Sequence, residues 1–343
     1  MDRFGLNFRA DEGCRSVIRR TATLLTVLAL GAACTPALST PAPSTASSSA
    51  TASASNATSA PPTAESSGSP TKAKKEPAKA PLPRGGRQVF PRYRLVGYAG
   101  LTGAKTLGRL GTGPLDQRLR EIEHRAKPYA AGRELQPIIE VITTIVQASP
   151  GRDHRYRARL SDEQIGRYLK AARKHDAILL LNIQPGRARF IDEVKAYERW
   201  LDEPDVGVAL DPEWAMGRHQ VPGRVFGHTT GAELDRVARY LARILAREDL
   251  PERIMVYHQL AARIVRRESE LQPHKGIVMI KSVDGIGRPA AKIRTYRVVN
   301  RTTPSFVHAG FKLFFTEDEK SGRLMRPEEI LRLHPRPEYV LCE

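Results

Sequence analysis

Two carboxylates two positions apart, Asp211 and Glu213, follow the apolar run Val206–Leu210. On an extended strand that spacing sets both side chains on one face, about 6–7 Å apart along the chain. Carboxyls so close push one another's proton affinities apart, which suits them to act as an acid and a base, or an acid and a charge stabiliser. Trp214 beside them offers a flat face on which a sugar ring could stack. The candidate catalytic residues are therefore Glu213 and Asp211, with Glu140 added because it interrupts an apolar run where an unpaired charge would be costly. Glu140 either pairs with Lys281 or Lys312 or belongs to the site. Asp211, for its part, could instead bond backbone or pair with Lys281.

Other polar residues end apolar runs and are candidates for substrate binding: Tyr98, Asn182, Gln184, Trp214, His258, Gln259, Lys281, Asp284 and Lys312. Glu317, Asp318 and Glu343 stand at similar places. His258 could be a ligand, a base or a satisfied core histidine. Lys281 and Lys312 would hold a substrate anion or neutralise the acidic groups, with a structural ion pair expected for at least one. Glu140, Asp211, Glu213, His258 and Asp284 have donor atoms that suit a cation, but no HxH, HExxH or Cys/His spacing accompanies them. The expectation is no metal and no cofactor.

The elements that must position these residues alternate strictly from Gln88 onward. Strands are expected at 94–98, 137–146, 177–183, 206–210, 253–258, 276–281, 306–314 and 338–342. Helices are expected at 115–127, 161–174, 188–201, 230–247, from 261, at 289–299 and at 327–333. Ser161 and Gln164 have capping-box spacing, and Thr230 and Glu233 cap the next long helix. Near-continuous apolar strands joined by helices imply a parallel sheet covered by helices. Eight of them in ~250 residues predict an α/β fold, a closed (β/α)8 TIM-like barrel without its last helix. A doubly wound open sheet is the alternative, but Gly97, Gly100 and Gly103 do not fit GxGxxG. In strand four the small Gly207 and Ala209 would face the barrel interior and Val206, Val208 and Leu210 the helices. The active site of such a barrel lies at the C-terminal ends of its strands.

The chain has 343 residues, of which 55 are Lys or Arg and 37 Asp or Glu, a net charge of +18. Hydrophobic residues make up 41%, enough for a sizeable core. No apolar run reaches the ~18–20 residues of a membrane-spanning helix. Arg15, Arg19 and Arg20 precede the short apolar stretch 21–33, as in a signal peptide. Residues 35–71 are almost only Ala, Ser, Thr, Pro, Gly and Asn, and cannot bury enough apolar surface to offset their ordering entropy. Basic residues from Lys72 to Arg87 follow. The expected organisation is a signal peptide at 1–33, a disordered and then basic tether at 34–87, and the barrel at 88–343. Up to Arg87 there are 11 basic and 5 acidic residues, so +6 of the charge lies there and +12 in the barrel. Outside the cell such charge suits an anionic envelope polymer, and no nucleic-acid motif is visible.

Gly31-Ala32-Ala33-Cys34 resembles a bacterial lipobox, with Gly31 where that pattern prefers Leu. The resemblance implies cleavage before Cys34, diacylation of its thiol and an extracytoplasmic protein anchored to the cell membrane. With Cys14 removed and Cys34 lipidated, Cys342 would have no disulfide partner. A barrel whose fourth strand ends in Asp-x-Glu resembles glycosidases of the chitinase and family-25 lysozyme kinds. Carried over, Glu213 matches the proton donor and Asp211 the assisting carboxylate. The longer acidic run of the chitinase motif is absent: Asp205 and Asp211 are six apart with apolar residues between. The segments LLLNIQPGRARF, VGVALDPEWAMGRHQVPGRVFG, MVYHQ and GFKLFF resemble a family of secreted actinobacterial lipoproteins of unassigned activity. Its members often carry Asp where Asn182 stands, so a mechanism needing that carboxylate would be lost here.

These features predict a monomeric envelope lipoprotein with a glycosidase-like barrel that hydrolyses wall or extracellular polysaccharide. A non-catalytic barrel that binds glycan or an anionic polymer is the alternative, and a metal-dependent hydrolase the third.

Overall fold

The computed structural model describes residues 79–343. The expected signal segment, the lipidation site Cys34 and most of the tether lie outside the described residues. Eight parallel strands close into a barrel: β1 (Tyr93–Gly100), β2 (Glu134–Val146), β3 (Ile178–Ile183), β4 (Val206–Leu210), β5 (Arg253–Gln259), β6 (Ile277–Val283), β7 (His308–Leu313) and β8 (Tyr339–Cys342). Each pairs with the next, and β8 pairs with β1 to complete the ring. The open-sheet alternative is thereby excluded. A short strand, Arg157–Arg159, adds antiparallel to the end of β2.

Eight α-helices are described: α1 (Leu115–Ala126), α2 (Asp162–Lys174), α3 (Phe190–Ala196), α4 (Glu198–Leu201), α5 (Gly231–Glu248), α6 (Pro289–Val299), α7 (Phe315–Lys320) and α8 (Pro327–Leu331). The capping box is formed: Gln164 N–H donates to Ser161 Oγ at 3.3 Å and Ser161 N–H to Gln164 Oε1 at 2.9 Å. Thr230 caps α5, accepting from Glu233 N–H at 3.3 Å. The expected helix 188–201 is broken at Tyr197, whose hydroxyl is drawn inward to donate to Thr143 O at 2.7 Å.

Two other elements differ from expectation. No α-helix follows β5. The segment makes two 3-10 turns, Ala262–Ile264 and Glu268–Glu270, because Arg267 between them takes a left-handed φ of 49° and Glu268 is pulled into the core. The unexpected α7 follows β7 and brings the buried Asp318 to the Lys292 ammonium at 2.8 Å.

The alternation along each strand sorts the core. Leu95, Ala99, Ile138, Leu180, Ala209, Ile254, Val256, Ile280 and Leu341 fill the interior. Val206, Val208 and Leu210 pack outward with the helices, as the small–large pattern of β4 predicts. A Cβ on Gly207 would stand 2.5 Å from Ile254 O, so only glycine fits there. The barrel's floor comes from residues assigned by composition to the tether. Leu82 is buried in the interior cluster with Val89 and Tyr93. Arg84 donates to Leu135 O and Arg87 to Asp249. The folded body therefore begins before Gln88: a Pro- and Lys-rich segment still orders when one leucine plugs an apolar barrel end. Among the described residues no helix is long and apolar enough to cross a membrane.

Candidate active site

At the C-terminal end of the barrel the interior face changes from apolar to polar in a single step. Glu140 follows Ile138 on that face, Asn182 follows Leu180, Asp211 follows Ala209, His258 follows Val256, Lys312 follows Gly310 and Glu343 follows Leu341. Asp284 lies two places beyond Ser282. The period of two places polar side chains at the ends of seven of the eight strands, all but β1, in one layer over the apolar plug.

His258 is the centre of this layer and fully buried. Its Nδ1 stands 2.8 Å from Asp284 Oδ2. Its Nε2 stands 3.0 Å from Glu140 Oε1 and 4.0 Å from Asp211 Oδ1. Burial works against a charge on the ring, but Asp284 and Glu140 outweigh it and hold its pKa well above the ordinary value. Asp284 is buried too, yet His258, Lys312 and a hydrogen bond from Ser282 hold its carboxyl below the usual range. Burial likewise opposes the charge of Glu140, and His258, Lys312 and Tyr339 reverse the balance and lower it.

Glu140 accepts from Asn182 Nδ2 at 2.9 Å and from the Tyr339 hydroxyl at 2.5 Å. Asn182 also donates to Asp211 Oδ1 at 3.0 Å, and Gln184 to Asp211 Oδ2 at 3.2 Å. Asn182 thus holds two carboxylates apart with one amide. Lys312 reaches Glu343 at 2.6 Å and Asp284 at 3.4 Å.

Glu213 differs from the strand geometry expected of it. The chain turns at Asp211 into a 3-10 turn, Pro212–Trp214, so Glu213 lies on the turn and not on β4. Its carboxyl is nonetheless buried, and its Oε2 has no hydrogen-bond partner among the described residues. Burial first, then the charges of Asp211 and Asp284, push its pKa well above the usual range. Asp211 is also raised, by burial and by Glu140, against the pull of His258 and Lys312. The stronger upward push falls on Glu213, whose neutral form burial favours, while Asp211 beside it accepts from two amides.

The structure brings together Glu140, Asn182, Gln184, Asp211, Glu213, His258, Asp284 and Lys312. Trp214 is buried against Val146 at the edge of this group. Three expected binding residues lie elsewhere because their strand parity points them outward. Lys281 faces the helical layer, where it contacts Glu268 at 2.7 Å and donates to Val299 O and Thr303. Tyr98 packs with the outer core against Phe315. Gln259 donates to the carbonyls of Ala261 and Ala262. Lys281 is therefore no partner of Glu140 or Asp211. Of the acids after β7, Asp318 pairs with Lys292. Tyr339 and Ser282 were not anticipated. Their signal was parity: Tyr339 lies four residues before Glu343 and Ser282 two before Asp284, on the same faces.

Ligand atoms of Glu140, Asp211 and His258 lie within 4.8 Å of one another. A cation there would compete with the proton that Asp284 and Glu140 hold on His258.

No protein-family model matches the chain, and none of the curated proteins matches it.

Proposed function

We propose that the protein is a glycoside hydrolase acting on a polysaccharide, with Glu213 as general acid and Asp211 as the assisting carboxylate. The observation that carries this reading is the buried Glu213 carboxyl with an unpartnered Oε2 beside Asp211, which accepts from the amides of Asn182 and Gln184. A carboxyl whose neutral form burial favours, beside a second carboxyl held by amide donors, is the division of labour that glycosidic cleavage needs. Glu213 gives its proton to the departing glycosidic oxygen. Asp211 stabilises the positive charge that develops on the sugar ring, with Asn182 and Gln184 fixing its orientation; a water then adds to the anomeric carbon and gives its proton to Glu213, which restores the acid. Glu140, ionised and clamped by Tyr339, Asn182 and His258, sets the negative potential of the layer and positions Asn182. Lipid anchoring through Cys34 would place this barrel outside the cell membrane, where wall and extracellular polysaccharides are found.

The test is release of reducing sugar from a panel of bacterial wall glycans by the protein and by Glu213→Gln. Release by the parent, with a loss of ~10²-fold or more in the variant, is the expected result for removal of a general acid. A folded protein that binds a glycan and releases nothing, with or without Glu213, would replace this reading with that of a binding barrel. The close approach of Glu140, Asp211 and His258 favours, as a second reading, a metal-dependent hydrolase. Activity that vanishes with a chelator and returns with a divalent ion would select it.

A further inference from the structure

The polar layer is acidic, but the ledge beside it is basic. Three loops form this ledge, those that follow β2, β3 and β4. They are laced together by main-chain bonds: Arg187 N–H donates to Arg155 O at 2.7 Å and Met216 N–H to Gly186 O at 2.7 Å. Side chains add to the lacing. Arg155 Nη1 donates to Arg187 O at 3.1 Å, and Arg187 Nε to Gln220 O at 3.0 Å. The Arg187 guanidinium also lies 4.2 Å over the Tyr156 ring, which fixes its plane. The ledge starts at the site itself: Gly186 is two residues from Gln184, and Ala215 two residues from Glu213.

Five arginines stand on it: Arg152, Arg155, Arg187, Arg218 and Arg224. All but the half-buried Arg187 are exposed. Among the described residues none of the five has a carboxylate within ion-pair distance. The arginines elsewhere on these loops do: Arg157 and Arg159 are paired with Glu193, and Arg189 with Asp192. The one acid on the ledge, Asp153, is already bound to Arg157 at 2.7 Å. A fold that pairs its neighbouring arginines and leaves these five without a carboxylate, on loops laced together beside its candidate active site, keeps the donors not bonded to main-chain carbonyls open to an external anion. The guanidinium fork matches a carboxylate or a phosphate oxygen pair.

We propose that this ledge binds an anionic polysaccharide, a sugar strand carrying carboxylate or phosphate groups, and feeds it to the mouth of the barrel. The inference rests on the glycoside hydrolase reading for what happens to the strand, but not for its binding. It narrows the substrate to a charged glycan.

The experiment measures binding of the full chain to polygalacturonate, to phosphorylated dextran and to plain dextran, at 50 and 300 mM salt. The two charged polymers separate carboxylate from phosphate as the preferred group. At least one is expected to bind, ten-fold or more weaker at the higher salt, with plain dextran at least ten-fold weaker than it. The triple variant Arg187→Gln, Arg218→Gln, Arg224→Gln is expected to lose ten-fold or more. A control with the same charge change on helices rather than the ledge, Arg120→Gln, Arg236→Gln, Arg243→Gln, is expected to bind within two-fold of the parent. Equal losses in both triple variants would overturn the proposal, since net charge alone would then explain binding. So would equal affinity for single-stranded DNA or for phosphatidylglycerol vesicles, or binding of plain dextran as tight as that of the charged polymers. Glu213→Gln, run beside them, separates this idea from the reaction. Ledge-dependent binding with no cleavage by the parent would remove the hydrolase and leave the ledge. Glu213-dependent cleavage of a neutral glycan with no effect of the ledge variant would do the reverse.

Discussion

Lys281 and Lys312 stand on neighbouring strands of the same barrel, and parity alone sends one to the helical layer and the other to the mouth. Lys281 is fully buried with Glu268, itself bonded by the Tyr257 hydroxyl at 2.6 Å. Its role is to satisfy a buried carboxylate that would otherwise be uncompensated. Lys281→Met leaves Glu268 without its cation, and the expected cost is about 3–5 kcal/mol of unfolding free energy, read from urea denaturation. At concentrations where the variant is folded, glycan binding should match that of the parent. Lys312 contacts two acids of the mouth, and its charge is favoured, against burial, by Glu343, Asp284, Asp211 and Glu140. The same substitution at Lys312 would disturb the site's potential directly. His258, open in the sequence between ligand, base and satisfied core histidine, is hydrogen-bonded to Asp284 at Nδ1 and has Glu140 at 3.0 Å from Nε2.

At the scale of the elements, β4 shows how one strand can be short, tightly packed and functional at once. Gly207 and Ala209 keep its inner face low, and the chain then turns at Asp211 to present Glu213. A methyl at Gly207 would meet Leu180 Cδ2 at 2.8 Å as well as the β5 main chain. Gly207→Ala should therefore push β5 from β4, with a loss of about 1–3 kcal/mol as for other overpacked cores. A variant as stable as the parent in the same urea titration would show that the barrel yields at this joint. The missing helix after β5 belongs to this scale as well. Its sequence is helix-compatible, but Glu268 gains more from Lys281 and Tyr257 than the segment gains from regular turns.

For the whole molecule, the buried charges set how stability depends on pH. Asp284 and Glu140 are depressed, so their contribution is present above the unfolded carboxylate range of ~4 and is lost as pH falls through their folded values. His258 is raised, so its contribution is complete below the unfolded value of ~6.5 and is lost as pH rises through the folded one. Glu213 and Asp211, both raised, weigh against the fold above ~4, and acid relieves that burden in part. The expected profile has its maximum between about 4 and 6.5, with a decline on the alkaline side that His258→Gln flattens. Urea denaturation from pH 3 to 10 measures it; an alkaline decline unchanged in that variant would assign the decline to other groups.

The alternation of apolar runs with amphipathic stretches, the small inner residues of β4 and the helix caps at Ser161 and Thr230 made the barrel legible in the chain, because those patterns depend on neighbours in sequence. The acids and amides at the strand ends were legible as well. Which of them meet was decided by the tertiary structure. Strands buried on both faces give no hydrophobic alternation, so nothing local tells Lys281, Tyr98 and Gln259, which point outward, from Lys312, Asn182 and His258, which point inward. The order of Leu82 and its neighbours, like the turn that carries Glu213 off its strand, depends on an interior that exists only after eight strands have closed. Composition reads a segment by what it contains, whereas its structure is set by what it can bury.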